Sequence, residues 1–155
     1  MKTTGERSQL LLPDGRGKRV AVVSARFYES LSDWLEDGAR RALSDCGVAA
    51  EDCTFHRVPG SFELPLAARR LIDSGRYDAI VALGIVVRGE TPHFDYVAGE
   101  CARGLMDVQL ATKVPIGFGV LTTDTLVQAE ERADPARGDK GYGATVAALS
   151  VLVIH

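Results

Sequence analysis

Two rhythms of apolar residues alternate along the chain. Stretches bounded by turn residues mark four strands: residues 19–24, fully apolar around Val20-Ala21-Val22-Val23 and of the parallel-sheet type; Cys53–Val58; the buried strand Ala79–Val87; and residues 115–121. Between them, apolar residues recur at three- and four-residue spacing, the stripe of a helix. Leu31, Leu35, Ala39, Ala42, Leu43 and Cys46 form the first stripe, with Gly47 as its C-terminal stop. Pro59-Gly60-Ser61 turns the chain, and Ser61 is a candidate N-cap. A second stripe follows, Leu64, Ala68, Leu71 and Ile72, ended by Ser74-Gly75. Pro65 falls in its first turn, where a missing N–H is tolerated. After a turn at Arg88-Gly89-Glu90, Phe94, Val97, Cys101, Leu105 and Val108 mark a third helix running to residue 112; Thr91 is its expected N-cap and Pro92 its first residue. Thr122-Thr123-Asp124 caps a short helix over residues 125–133. Residues 134–138 break the chain, and residues 142–154 form a last helix that is apolar nearly all round.

The order βαβαβαβαα, without internal repeats, predicts a parallel four-stranded sheet covered by helices on both faces. This is a three-layer α/β/α domain of flavodoxin-like architecture. One domain is expected over residues 19–155, behind a polar, flexible arm over residues 1–18. Leu10-Leu11-Leu12 in that arm needs cover. It reads either as a loose tail or as a short edge strand, in its own sheet or in a neighbouring subunit's. The last helix needs cover on more than one side, which in a chain of 155 residues argues for burial between subunits.

Composition narrows the function by exclusion. Hydrophobic residues make up 46% and charged residues 25%, as in ordinary globular domains. A net charge of −3 offers no footprint for nucleic acid or an acidic membrane surface. Arg40-Arg41 and Arg69-Arg70 read as solvated helix faces. No apolar run reaches membrane-spanning length, and residues 1–12 lack the apolar core of a signal peptide. Cys46, Cys53 and Cys101 show neither CxxC nor Cys/His spacing, and read as reduced, buried thiols of a cytoplasmic protein. No GxGxxG follows the first strand. Gly138-Asp139-Lys140-Gly141 is not a Walker loop, because no Ser or Thr follows the lysine. GxSxG is absent, and no acidic pair ends the first strand.

The remaining chemistry gathers just after the strands, hence on one edge of the sheet, where α/β folds bind ligands. Phe27 follows the first strand. Ser61, Phe62 and Glu63 follow the second, Arg88, Gly89, Glu90, Thr91 and His93 the third, and Thr122, Thr123 and Asp124 the fourth. The aromatic rings can stack on a planar heterocycle, and Glu63 can accept hydrogen bonds from hydroxyls. The start of the third helix aims unpaired N–H groups and a partial positive charge at the strand end, a phosphate or carboxylate site. His93 lies in the same turn, where an imidazole can serve as general base beside a bound anion. Arg132 and Lys140 flank the break at Pro135. They read as solvated helix-end charges, although arginine is also the residue type that clamps phosphate bidentately.

Three blocks carry a resemblance: Val58-Pro59-Gly60-Ser61-Phe62-Glu63-Leu64-Pro65, the stretch from Gly84 through Arg88-Gly89-Glu90-Thr91-Pro92-His93-Phe94-Asp95-Tyr96-Val97, and Phe118-Gly119-Val120-Leu121-Thr122-Thr123. With Gln128-Ala129, Arg132-Ala133 and Asp139-Lys140-Gly141, they make the chain resemble the 6,7-dimethyl-8-ribityllumazine synthases over residues 19–152. The resemblance implies a transferase that condenses 5-amino-6-(D-ribitylamino)uracil with 3,4-dihydroxy-2-butanone 4-phosphate in the penultimate step of riboflavin biosynthesis. Phosphate and water are released, and neither metal nor organic cofactor is needed. It implies that Phe27 stacks on the pyrimidine, and that Ser61, Phe62 and Glu63 hold the pyrimidine and its ribityl chain. Val86 and Val87, with Ile85 beside them, would offer backbone groups to the pyrimidine. Gly89, Glu90 and Thr91 would bind the phosphate, and His93 would move protons. Phe118, Arg132 and Lys140 would reach in from the adjacent subunit of a homo-pentamer. A sixty-subunit shell and association with riboflavin synthase are further levels of assembly the family suggests. The chain departs from the family pattern at Tyr28, where many members have Asn, at Gly143 for Glu, at Asp134-Pro135 for a Gly-containing turn, and at Asp139 for Asn.

Two other readings stand beside the enzyme: a non-catalytic flavin- or phosphate-binding paralogue of the same fold, and a shell-forming structural protein. His93 together with Arg132 separates the enzyme from the binding module, which needs an anion site but no base.

Overall fold

A parallel sheet of order β2-β1-β3-β4 forms the middle layer, and the computed structural model describes residues 11–155. Its strands are β1 (Val20–Ala25), β2 (Cys53–Val58), β3 (Ala79–Val87) and β4 (Ile116–Thr123). They alternate with α1 (Glu29–Asp45), α2 (Leu64–Asp73), α3 (His93–Thr112), α4 (Leu126–Ala133) and α5 (Lys140–Leu152). Successive side chains of a strand point to opposite faces, so the apolar runs feed two cores. Val20 and Val22 pack with Leu31, Leu35, Ala39, Ala129, Ala133, Ala148 and Leu149, on the face of α1, α4 and α5. Ala21, Val23 and Ala25 pack with Leu64, Ala68, Cys101 and Leu105, on the face of α2 and α3. The expected three-layer α/β/α domain with a four-stranded parallel sheet is the observed one.

Several boundaries move, each for a local reason. α3 starts at His93 with Pro92 as N-cap; Thr91 is not the cap, but its hydroxyl accepts a hydrogen bond from the His93 N–H at 3.4 Å. Ser61 does not cap α2. It opens a 3₁₀ turn, Ser61–Glu63, in which the Glu63 carboxylate reaches back to the Gly60 N–H at 3.1 Å. α4 is capped by Thr125, whose hydroxyl accepts from the Gln128 N–H while the Gln128 amide accepts from the Asp124 and Thr125 N–H groups. α5 begins at Lys140, two residues before its apolar stripe suggests, because glycines let it lie against α1 backbone to backbone. A Cβ on Gly38 would stand 2.6 Å from the Tyr142 nitrogen, and one on Gly141 would run into the Leu35 carbonyl. Arg41, expected on a solvated face, closes the same junction. Its guanidinium donates to both carboxylate oxygens of buried Asp139, at 2.7 and 3.1 Å. Asp139 and then Asp37 hold that guanidinium well above its ordinary range.

α5 buries Gly141, Ala144, Thr145, Ala148 and Leu149 and leaves Gly143, Ala147, Ser150 and Val151 exposed, so one mostly apolar side is bare among the described residues. At the other end, Gly15 is buried and donates to the Cys46 carbonyl at 2.7 Å. Leu11 and Leu12 are exposed and belong to no strand, and Leu10 with the rest of residues 1–10 lies outside the described residues. No described helix is long and apolar enough to cross a membrane.

Candidate active site

β1 and β3 are neighbours in the sheet, yet the chain leaves them on opposite faces, through α1 and α3. This reversal opens a crevice at their C-terminal ends, the position at which doubly wound sheets bind ligands. A cleft of about 590 Å³ lies there, open on one side. Its lining comes from three strand ends and one helix start. Phe27 and Tyr28 follow β1, Gly60 to Glu63 follow β2, and Ile85, Val86 and Val87 end β3. His93, Tyr96 and Val97 come from the first turns of α3.

Three aromatic rings of the lining are largely exposed, Phe27 at 76%, Tyr96 at 68% and Phe62 at 60%. Apolar rings left open at the mouth of a mostly apolar cleft are built to be covered by a flat ligand. Tyr28 meets Phe27 edge to face, with centroids 5.0 Å apart. Ser61 is buried, and its Oγ makes no hydrogen bond among the described residues. It sits where a Cβ on Gly84 would be, 2.5 Å away. Gly84 is therefore what lets the 60–63 turn settle against β3.

His93 is exposed at the cleft wall as the first residue of α3. The turn before it, Gly89 to Thr91, is exposed at the lip rather than in the lining. Arg88 braces that turn. Its N–H donates to the Thr123 carbonyl at 2.8 Å, and its Nε donates to Asp124 at 2.9 Å. Its Nη1 reaches Asp95 at 3.4 Å, and the guanidinium lies 4.4 Å from the centroid of the Phe94 ring. The Asp124 carboxylate, with Asp95 behind it, pushes the Arg88 guanidinium further up.

The structure thus brings together Phe27, Ser61, Phe62, Glu63, Ile85, Val86, Val87 and His93, with Gly89, Glu90 and Thr91 at the rim. Phe118, Arg132 and Lys140 do not line this cleft. Phe118 projects half-exposed from the edge strand β4. Arg132 ends α4, with its Nη1 on the Gln128 carbonyl at 3.1 Å, and Lys140 opens α5. Tyr96 and Val97 are wall residues that sequence reasoning did not select as site residues. Their spacing from His93, three and four positions along one helix, is the signal that finds them. Among the described residues no cluster of three His, Cys, Asp or Glu side chains is disposed to hold a metal ion.

The sequence matches, over residues 17–155, the family described as 6,7-dimethyl-8-ribityllumazine synthase. A protein of that description from Gemmatimonas aurantiaca is 53% identical over 140 residues, 90% of this chain and 85% of that protein. One from Kineococcus radiotolerans is 52% identical over 152 residues, 97% of this chain and 92% of that protein. One from Nitratidesulfovibrio vulgaris is 47% identical over 139 residues, 90% and 89% of the two chains.

Proposed function

The chain belongs to the 6,7-dimethyl-8-ribityllumazine synthase family, and from that premise we propose how its cleft works. The reaction condenses 5-amino-6-(D-ribitylamino)uracil with 3,4-dihydroxy-2-butanone 4-phosphate and releases phosphate and water, the penultimate step of riboflavin biosynthesis. The observation that carries the assignment of roles is the crevice between β1 and β3. It pairs two open phenyl rings with a histidine in the first turn of a helix.

Phe27 stacks on the pyrimidine ring, with Phe62 on the far side of the mouth. Ser61 and Glu63 take hydroxyl and ring groups of the ribitylaminopyrimidine, and the ends of Ile85, Val86 and Val87 offer backbone groups to its edge. The phosphate of the second substrate settles on Gly89, Glu90 and Thr91, beside the N-terminus of α3, whose partial positive charge favours an anion. The two substrates then meet beside His93. The pyrimidine's 5-amino group attacks the ketone and one water leaves as the imine forms; phosphate is eliminated to leave an enol that tautomerises to a second ketone; the ribitylamino nitrogen attacks that carbonyl and closes the ring with loss of a second water. Each step moves a proton to or from a reacting carbon, nitrogen or oxygen, and His93 carries those protons. No metal or organic cofactor enters the scheme.

The cleft is open on the side where a neighbour can stand. Phe118, Arg132 and Lys140 lie outside their own cleft, and α3 leaves Tyr96, Met106 and Leu110 exposed. These features support a homo-pentamer in which Phe118, Arg132 and Lys140 of one subunit complete the next subunit's site, with Arg132 on the phosphate. A sixty-subunit shell, contact with riboflavin synthase and a cytoplasmic setting belong to the same reading. Incubation of the purified protein with both substrates is expected to generate the lumazine chromophore and inorganic phosphate in equal amounts. Absence of the chromophore would overturn the catalytic reading.

A further inference from the structure

Two carboxylates are buried among the described residues, Asp139 and Glu36. Asp139 belongs to the α1–α5 junction. Glu36 lies on the sheet-facing side of α1, next to Leu35 and one turn before Ala39, at 5% exposure. An aliphatic residue there would extend the core without the desolvation cost of a charge.

Its two oxygens reach in two directions. Oε1 accepts from Nη1 of Arg26 at 3.2 Å, and Oε2 accepts from Nη2 of Arg57 at 3.4 Å. Arg26 immediately precedes Phe27. Its side chain is 10% exposed and also reaches Glu29 and Asp33, each at 2.6 Å. Its backbone N–H donates to the Val58 carbonyl at 2.9 Å, one step beyond the last paired residues of β1 and β2. Arg57 stands three residues before Gly60 and is the register partner of Ser24, so it lies on the same face of the sheet as α1. One buried carboxylate therefore fastens two segments that are far apart in sequence, and those segments carry Phe27 and the Ser61–Glu63 turn, the two walls of the cleft.

We infer that Glu36 is a positioning residue for the pyrimidine subsite: by bridging Arg26 and Arg57 it fixes the spacing between Phe27 and the Ser61–Glu63 turn. The inference rests on the assignment of that part of the cleft to the ribitylaminopyrimidine. Glu36 touches no substrate. Its effect is to hold the two walls ready, so that binding does not have to order them.

The test is steady-state kinetics with each substrate varied in turn, on the wild type, Glu36→Gln, Arg57→Gln and the double variant. Glu36→Gln keeps the shape and removes the charge that both guanidinium groups share. It should raise the Michaelis constant for the ribitylaminopyrimidine about three- to tenfold, leaving kcat and the constant for the butanone phosphate unchanged. Arg57→Gln, at a mostly exposed side chain, should fold normally and shift the same constant in the same direction by about twofold. The double variant should be no worse than Glu36→Gln alone, because both changes cut one bridge. Equal shifts for both substrates, or a lowered melting temperature with both constants unchanged, would reduce Glu36 to a structural ion pair and overturn the inference. If Glu36→Gln fails to fold, Arg57→Gln decides between the same outcomes. A wild type that makes no chromophore would sink the functional reading itself, whereas an active wild type with unshifted pyrimidine constants in the variants sinks this inference alone.

Discussion

His93 stands where a proton carrier is useful and where its loss need not disturb the fold: it is exposed, and its ring makes no hydrogen bond among the described residues. His93→Ala should lower kcat toward the small end of the ~10²–10⁴-fold range for a lost general base, because the condensation proceeds slowly without assistance, and should leave both Michaelis constants nearly unchanged. Stopped-flow measurement of chromophore formation checks this. Gly84→Ala acts by geometry instead. The added methyl group must displace Ser61, with Leu64 and Ala25 also within 3.4 Å. The expected cost is about 1–3 kcal/mol of stability, together with a raised Michaelis constant for the pyrimidine substrate, read from urea unfolding and from kinetics. Cys101 gives a pH signature. Burial pushes its thiol up to about 11 from an ordinary value of 9.0. The fold favours the neutral thiol, so this contribution is complete below about pH 9 and is lost as pH rises toward about 11. Stability of the wild type should fall across that window by up to about 2–3 kcal/mol more than that of Cys101→Ala. At this scale the sequence made Phe27, Phe62 and His93 visible, since a position just after a strand is a local property. It hid Ser61's burial against Gly84 and the bridge through Glu36, because both depend on which strand ends become neighbours.

Among the elements, the strands were the most legible. β3 runs from the first to the last residue that its apolar run marks, because a strand covered on both faces has no freedom to place a polar residue inside; the edge strand β2 also keeps its expected bounds, although Thr54, His56 and Arg57 interrupt its apolar residues. Helix starts were less legible. The apolar stripe starts the last helix only at residue 142, and glycine disfavours helix, yet Gly141 lies inside α5 and is the residue whose missing side chain admits the backbone of Leu35. That close approach sets the angle and depth of α5 on α1, and Arg41 with Asp139 locks it. Gly141→Ala should therefore be costly although alanine is the better helix former. A contact with backbone cannot be relieved by a rotamer change, and a loss of at least about 3 kcal/mol is expected. Guanidinium unfolding should show a lower midpoint at an unchanged slope. If the variant were as stable as the wild type, the two helices would not be in the contact described. The shift of the α3 cap from Thr91 to Pro92 has a similar origin: Thr91 still bonds to the helix, but to its first N–H rather than to the third.

At the scale of the whole molecule, His93 and Arg132 stand apart. His93 lines a cleft that Arg132 of the same chain does not reach, so a site needing both must draw on two subunits. A refolded equal mixture of His93→Ala and Arg132→Ala chains should recover about a quarter of the sites around a cyclic ring, since each intact pair needs one chain of each kind in the right order. Activity well above either parent is the expected result. No recovery, with ring formation confirmed by sedimentation, would place the two residues in separate work. The sheet order β2-β1-β3-β4 has one more consequence, in the time domain. β1 is made first, yet both its edges are completed by strands made later, β2 and then β3. The β1–β3 pairing spans a long stretch of intervening chain, the kind of contact that forms slowly. A growing chain therefore leaves the ribosome with Phe27 and the Ser61–Glu63 turn already made and the floor of the cleft still missing. Until β3 and α3 have emerged, the growing chain carries an aromatic, unpaired edge. The sheet that places the ligand site at its switch point also makes that site wait for a strand and a helix start synthesised well after its first walls.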